Sequence, residues 1–111
     1  MGATAGYLHI GLTAALVMSA VETIQPGSFT TSEHLAITPE SVQNAASAFS
    51  EVNYFAFSCL TTVGFGDISP ALPLSRMLSV ATSVIGPLYI AAVMGILIGR
   101  YSNCLREESK P

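Results

Sequence analysis

Two long apolar runs bracket a shorter one along this chain, and each pair is separated by polar, proline-bearing sequence. The first run, Tyr7 to Ile24, reads YLHIGLTAALVMSAVETI. Its 18 residues would rise about 27 Å as a helix, close to the hydrocarbon thickness of a bilayer. An outer helix is predicted over about residues 7–24, with His9 and Glu22 near its ends, at headgroup depth. A cleaved signal peptide is the competing reading, with Ala20 as a mimic of the cleavage site. Such a leader carries a basic start, and no Lys or Arg precedes Tyr7. The opening Met1 to Gly6 also misses the myristoylation pattern, which needs Ser or Thr at position 6.

The second long run, Met77 to Gly99, holds 23 uncharged residues between Arg76 and Arg100, roughly 34 Å of helix. An inner helix is predicted over about 75–101, followed by a tail over 102–111. Gly86-Pro87 interrupts it. Pro87 cannot donate to the carbonyl of Ser83 and its ring crowds that turn, so a kink is expected, with Gly86 as the flexible point. Gly95 and Gly99 share one face, where another helix could approach closely; a plain lipid-facing surface is the alternative.

Between these runs the pattern changes. Gln25-Pro26-Gly27 breaks the first helix. A loop is expected over about 25–46, with Thr38-Pro39-Glu40 as a short helix start. A further helix is predicted over about 47–61, capped by Ser47 or Ser50 with Glu51 near its first turn. Its apolar part, Tyr54 to Leu60, is far too short to span. Tyr54, Phe55 and Phe57 are expected to pack as a collar behind the glycine-rich run that begins at Thr61. An apolar half-span leading into such a run marks a re-entrant segment, because non-helical backbone survives at membrane depth only inside protein or beside a water-filled cavity.

Composition sharpens this picture. Of 111 residues, half are hydrophobic and 10% charged, against about a quarter charged in soluble domains. This is the composition of a one-domain membrane protein. A net charge of −3 without a basic cluster argues against nucleic acid. Cys59 and Cys104 fall at opposite ends of the long run, too far apart for a disulfide. His9, His34 and the carboxylates show no metal-ligand spacing, and no Ser/His/Asp arrangement stands out, so an enzyme and a bound cofactor are not expected.

The chemistry centres on Thr61-Thr62-Val63-Gly64-Phe65-Gly66-Asp67. Glycines at 64 and 66 tolerate positive φ, and alternating left- and right-handed residues point successive carbonyls the same way. Rings of such carbonyls, repeated around an axis, can replace the water shell of a cation. The Thr62 hydroxyl can add an innermost oxygen layer. The bland alternative is a tight turn in an ordinary loop.

Thr62-Val63-Gly64-Phe65-Gly66-Asp67 resembles the selectivity filter of potassium channels, with Phe where Tyr is commoner. The order of elements is similar to the two-transmembrane-helix bacterial potassium channel family over nearly the whole chain. The resemblance implies an all-α membrane protein: two transmembrane helices flank a re-entrant pore helix and filter loop, and the assembly is a homotetramer. It implies potassium, the permeant ion, at Thr62, Val63, Gly64 and Phe65, with Gly66 completing the filter and Asp67 at the outer mouth. Gly86 and Pro87 then match a gating hinge, and Arg76 a basic residue at the outer end of the inner helix. Two departures stand out. Phe65 lacks the hydroxyl that the family's Tyr offers the pore helix. Ser58 cannot make the acid pair with Asp67 that a Glu makes in some bacterial members.

Arg100, Arg106 and Lys110 are three of four basic residues, which predicts cytoplasmic termini in the plasma membrane. Glu33, Glu40, Glu51 and Asp67 would then face out and concentrate cations. The leading expectation is a potassium-selective pore whose partners are identical subunits and lipid. A weakly selective cation channel and a non-conducting two-span adaptor are the alternatives.

Overall fold

The computed structural model of the chain describes residues 1–31 and 42–110. Among these residues, three helices and a two-stranded ribbon follow in order: α1 (Gly2–Ile24), β1 (Phe29–Thr31), α2 (Val42–Leu60), β2 (Ile68–Pro70) and α3 (Pro73–Glu108). α1 and α3 are both long and apolar enough to cross a membrane. The fold is therefore mostly helical with two candidate spans, as expected.

Several boundaries differ from the sequence reading. α1 begins five residues before Tyr7, so His9 lies within the helix and its Nδ1 sits 2.8 Å from the carbonyl oxygen of Ala5. α2 begins at Val42, which puts Ser47, Ser50 and Glu51 inside the helix rather than at its cap. α3 continues to Glu108, so most of the expected tail is helical; no Gly or Pro between Gly99 and Lys110 stops it. Thr38-Pro39-Glu40, Glu33 and His34 lie outside the described residues.

The core sits around α2. Ala48, Val52, Phe55, Ala56 and Cys59 pack against Ala15 and Met18 of α1, Phe29 of β1 and Ile68 of β2. Small residues set how closely the helices approach. The ring of Phe57 lies where a side chain at Gly11 would be. On α3 the buried residues are Ser75, Ser79, Thr82 and Gly86. Two of the hydroxyls donate to their own helix, Ser79 to Ser75 at 2.7 Å and Thr82 to Leu78 at 2.8 Å. A hydroxyl satisfied this way can be buried against a neighbouring helix at little cost.

The ribbon was not expected. β1 and β2 pair antiparallel, with Phe29 opposite Pro70, Thr30 opposite Ser69 and Thr31 opposite Ile68. Three-residue strands are too short to show an alternating pattern, and Pro70 argues against a strand except at an edge. Glu22 is also corrected. It is buried in the chain rather than open to headgroups, and its carboxylate accepts the backbone N–H groups of Gly27 at 2.9 Å and Phe29 at 3.0 Å. The carbonyl of Ser28 accepts from the Ala71 amide and the Ser75 hydroxyl, both at 2.8 Å. These bonds tie the end of α1, the ribbon and the start of α3 into one corner.

Candidate functional site

The glycine-rich run begins where α2 ends. The last carbonyls of a helix lack intrahelical donors. Here Phe57 accepts from the Thr61 N–H, Cys59 from Thr62, and Ser58 from both Val63 and Gly64, at 3.0–3.2 Å. The first residues of the run are thereby folded back onto the helix end.

Beyond that point the backbone alternates in hand. φ is +59° at Thr62, +53° at Gly64 and +83° at Gly66, while Val63 and Phe65 are not in the positive-φ region. Glycine was the expected residue for this conformation, but Thr62 adopts it too. A β-branched residue there is strained by about 1–2 kcal/mol, so the surrounding bonds must hold it. Its hydroxyl donates to the Thr61 carbonyl at 2.7 Å. The run from Thr61 to Asp67 is exposed in the single chain, and no atom lies within 4 Å of a Cβ placed on Gly64 or Gly66. The glycines are there for φ, not for a close neighbour.

The expected collar separates into three directions. Tyr54 stacks on Phe65, with ring centroids 5.9 Å apart and planes 12° from parallel. Phe55 turns inward against Phe29 at 5.3 Å, and Phe57 lies on Gly11. Successive helical positions turn about 100°, so Phe55 cannot share a face with Tyr54, while Phe57, three positions on, lies at the edge of the Tyr54 face. Tyr54 alone reaches the run.

Tyr54 also faces Asp67. Partial desolvation, and then the nearby carboxylate, hold its phenol above the ordinary range. Asp67 Oδ1 accepts the Ile68 N–H at 3.0 Å, pinning the exit into β2. The Ser58 side chain does not reach Asp67: it is buried, and its hydroxyl donates to the Phe55 carbonyl at 2.8 Å. Thr31, Ser50, Glu51, Tyr54, Asp67 and Ile68 line a cleft of about 460 Å³ beside the run. Arg76 Nε donates to the Pro70 carbonyl at 3.3 Å, bracing the far side.

The sequence pattern of an ion channel family matches residues 6–103. The chain belongs to this family. Human voltage-gated delayed rectifier potassium channel KCNH5 is 43% identical over 42 residues, 38% of this chain and 4% of that protein. Pig voltage-gated inwardly rectifying potassium channel KCNH2 gives the same identity and coverage. A provisionally named potassium channel protein of Rhodopseudomonas palustris is 33% identical over 55 residues, 50% of this chain and 13% of that protein. The chain thus spans only a small part of the curated relatives it matches. No solved structure matches it significantly. The resemblance to two-helix potassium channel pores is borne out, and this channel-family chain is a membrane protein.

The inner-helix glycines fall into two kinds. A Cβ on Gly86 would overlap the backbone carbonyl of Leu60, whereas one on Gly95 or Gly99 meets nothing within 4 Å. Gly86, expected as a flexible point, therefore has a packing reason to be glycine. α3 is one unbroken helix through Gly86 and Pro87. Both cysteines are free, Cys59 buried and Cys104 exposed. Burial pushes the Cys59 thiol up, partly offset by Ser83, Ser58 and Ser79 around it.

Proposed function

We propose that the chain is a potassium-selective pore that conducts passively as a homotetramer. The observation that carries this reading is the alternation of positive φ at Thr62, Gly64 and Gly66. Such alternation turns successive carbonyls toward one side, and four copies around an axis would stack oxygen rings there. Stripping water from a cation costs far more than one neutral dipole returns, so several oxygens must act together at each level. Thr62, Val63, Gly64 and Phe65 supply these oxygens, and Gly66 turns the strand at the outer end. The potassium channel names of the relatives described above favour potassium as the ion.

The rest of the site serves that row. α2 ends at Leu60, so its partly negative carbonyl end favours a cation at the inner mouth. Asp67 and Glu51 raise cation concentration at the outer mouth, most at low salt. The basic residues after Gly99 favour a plasma-membrane protein with both termini in the cytoplasm. Lipid covers the remaining apolar surface. Gly86-Pro87 is where the inner helix bends if gating needs it to.

Potassium flux into liposomes containing the purified chain tests this. Flux is expected from the unmodified protein, and cross-linking in mild detergent should stop at four subunits. Gly66→Ala should abolish or de-select the flux, because each subunit then carries a left-handed penalty of about 1–2 kcal/mol. A cross-linking limit of two, with no flux, would favour the two-span adaptor.

A further inference from the structure

All three helices meet at the carbonyl of Leu60. The preceding carbonyls of α2 take backbone N–H groups from residues 61–64. That of Leu60 instead accepts the hydroxyl of Tyr7, on α1, at 3.2 Å. From the other side α3 closes on it through Gly86, where a side chain would overlap the same oxygen.

Tyr7 is itself held. Its ring packs against that of Tyr89 with centroids 6.1 Å apart and planes at 40°. Tyr89 lies on α3 just past Pro87, and its hydroxyl donates to the Ala3 carbonyl of α1 at 2.9 Å. Gly6 leaves the space that the Tyr89 hydroxyl fills. Each tyrosine thus reaches across to a backbone carbonyl of another helix, and the two rings brace each other. Both are half-buried.

We propose that Tyr7, braced by Tyr89, is a positioning residue for the inner end of the filter. The Leu60 carbonyl belongs to the peptide plane that leads into Thr61 and the strained Thr62. Rotation of that plane turns the Thr61 N–H away from the Phe57 carbonyl and loosens the left-handed Thr62 that follows. A hydroxyl on Leu60 opposes the rotation. Because Tyr89 follows Gly86-Pro87, a displacement of the lower inner helix reaches the filter base through these two rings. This inference rests on the channel reading for its consequence in ion preference, but the bond itself is independent of conduction.

The test combines two readouts on the full chain assembled in its membrane: the potassium-to-sodium permeability ratio, and amide hydrogen exchange at residues 61–64. Tyr7→Phe keeps the ring and removes the donor. It is expected to lower the ratio and to speed the exchange, each by roughly two- to tenfold, the span of one ordinary hydrogen bond. Tyr89→Phe should do the same more weakly. The double variant should match Tyr7→Phe alone, because both act through one bond. If the exchange responds in this way while the unmodified chain carries no potassium, the bond's role stands and the channel reading falls. If the unmodified chain is selective and Tyr7→Phe changes neither ratio nor exchange, the proposal is overturned. Additive effects in the double variant also overturn it, since they would show two separate packing contacts.

Discussion

The two halves of α3 are one continuous helix with opposite surroundings. Every buried residue of the helix lies between Ser75 and Gly86, in the half that packs on α2. Past Pro87 it is almost entirely exposed, Leu88, Ile90, Met94, Ile96, Leu97 and Ile98 among the exposed residues. The buried half is lined by Ser, Thr and Gly, and the open half is the more apolar one. In a soluble protein the order would be reversed. At membrane depth lipid solvates leucine well, so helices approach where side chains are small and hydroxyls can bond to their own backbone. Under the proposed function the upper half, before Pro87, supports the filter, and the lower half faces lipid and other subunits.

The largest expected break in this comparison is at Phe29, which is fully buried on Phe55 between the ribbon and α2. Phe29→Ala should cost about 3–5 kcal/mol of stability, read as a lower temperature for loss of the folded assembly. Ile96→Ala, in the open half, should cost far less. Equal losses would mean that the lower half is as tightly packed in the assembly as the upper.

Gly86 comes next, paired with Gly95. Gly86→Ala drives a methyl group into the Leu60 carbonyl, where neither helix backbone can yield easily, and should destabilise by about 3 kcal/mol. Gly95→Ala meets open space and should gain helix propensity, up to about 1 kcal/mol. If Gly86→Ala assembles normally and changes only open probability, the residue is a hinge rather than a contact. If Gly95→Ala is the damaging one, another subunit packs closely on that face.

A smaller effect sharpens the account of the outer mouth. Tyr54→Phe keeps the stack on Phe65 and removes the hydroxyl that faces Asp67. Single-channel conductance at low salt should fall less than in Asp67→Asn, which removes the charge itself. An equal fall in both would make the hydroxyl, not the charge, the important feature.

Much of this architecture was legible in the order of apolar runs. Two candidate spans with a shorter helix between them follow from run length, and the need for positive φ at Gly64 and Gly66 from glycine itself. The hidden features depend on side chains meeting across distance. Glu22 looked interfacial because its partners are backbone amides of Gly27 and Phe29, which leave no mark in sequence. The pairing of Phe29–Thr31 with Ile68–Pro70 was too short to show a period. Thr62 gave no sign of left-handed backbone, since a β-branched residue takes that shape only under external constraint. The divergence of Phe55 from Tyr54 could have been anticipated from helical geometry alone.

The central claim is that the alternating backbone from Thr62 to Gly66 selects potassium. The most direct test is the reversal potential across a bilayer containing the purified chain, with potassium on one side and sodium on the other. The account predicts a large potential of the sign set by potassium permeation. A reversal potential near zero, with current flowing, would contradict it and make the protein a cation channel that does not discriminate.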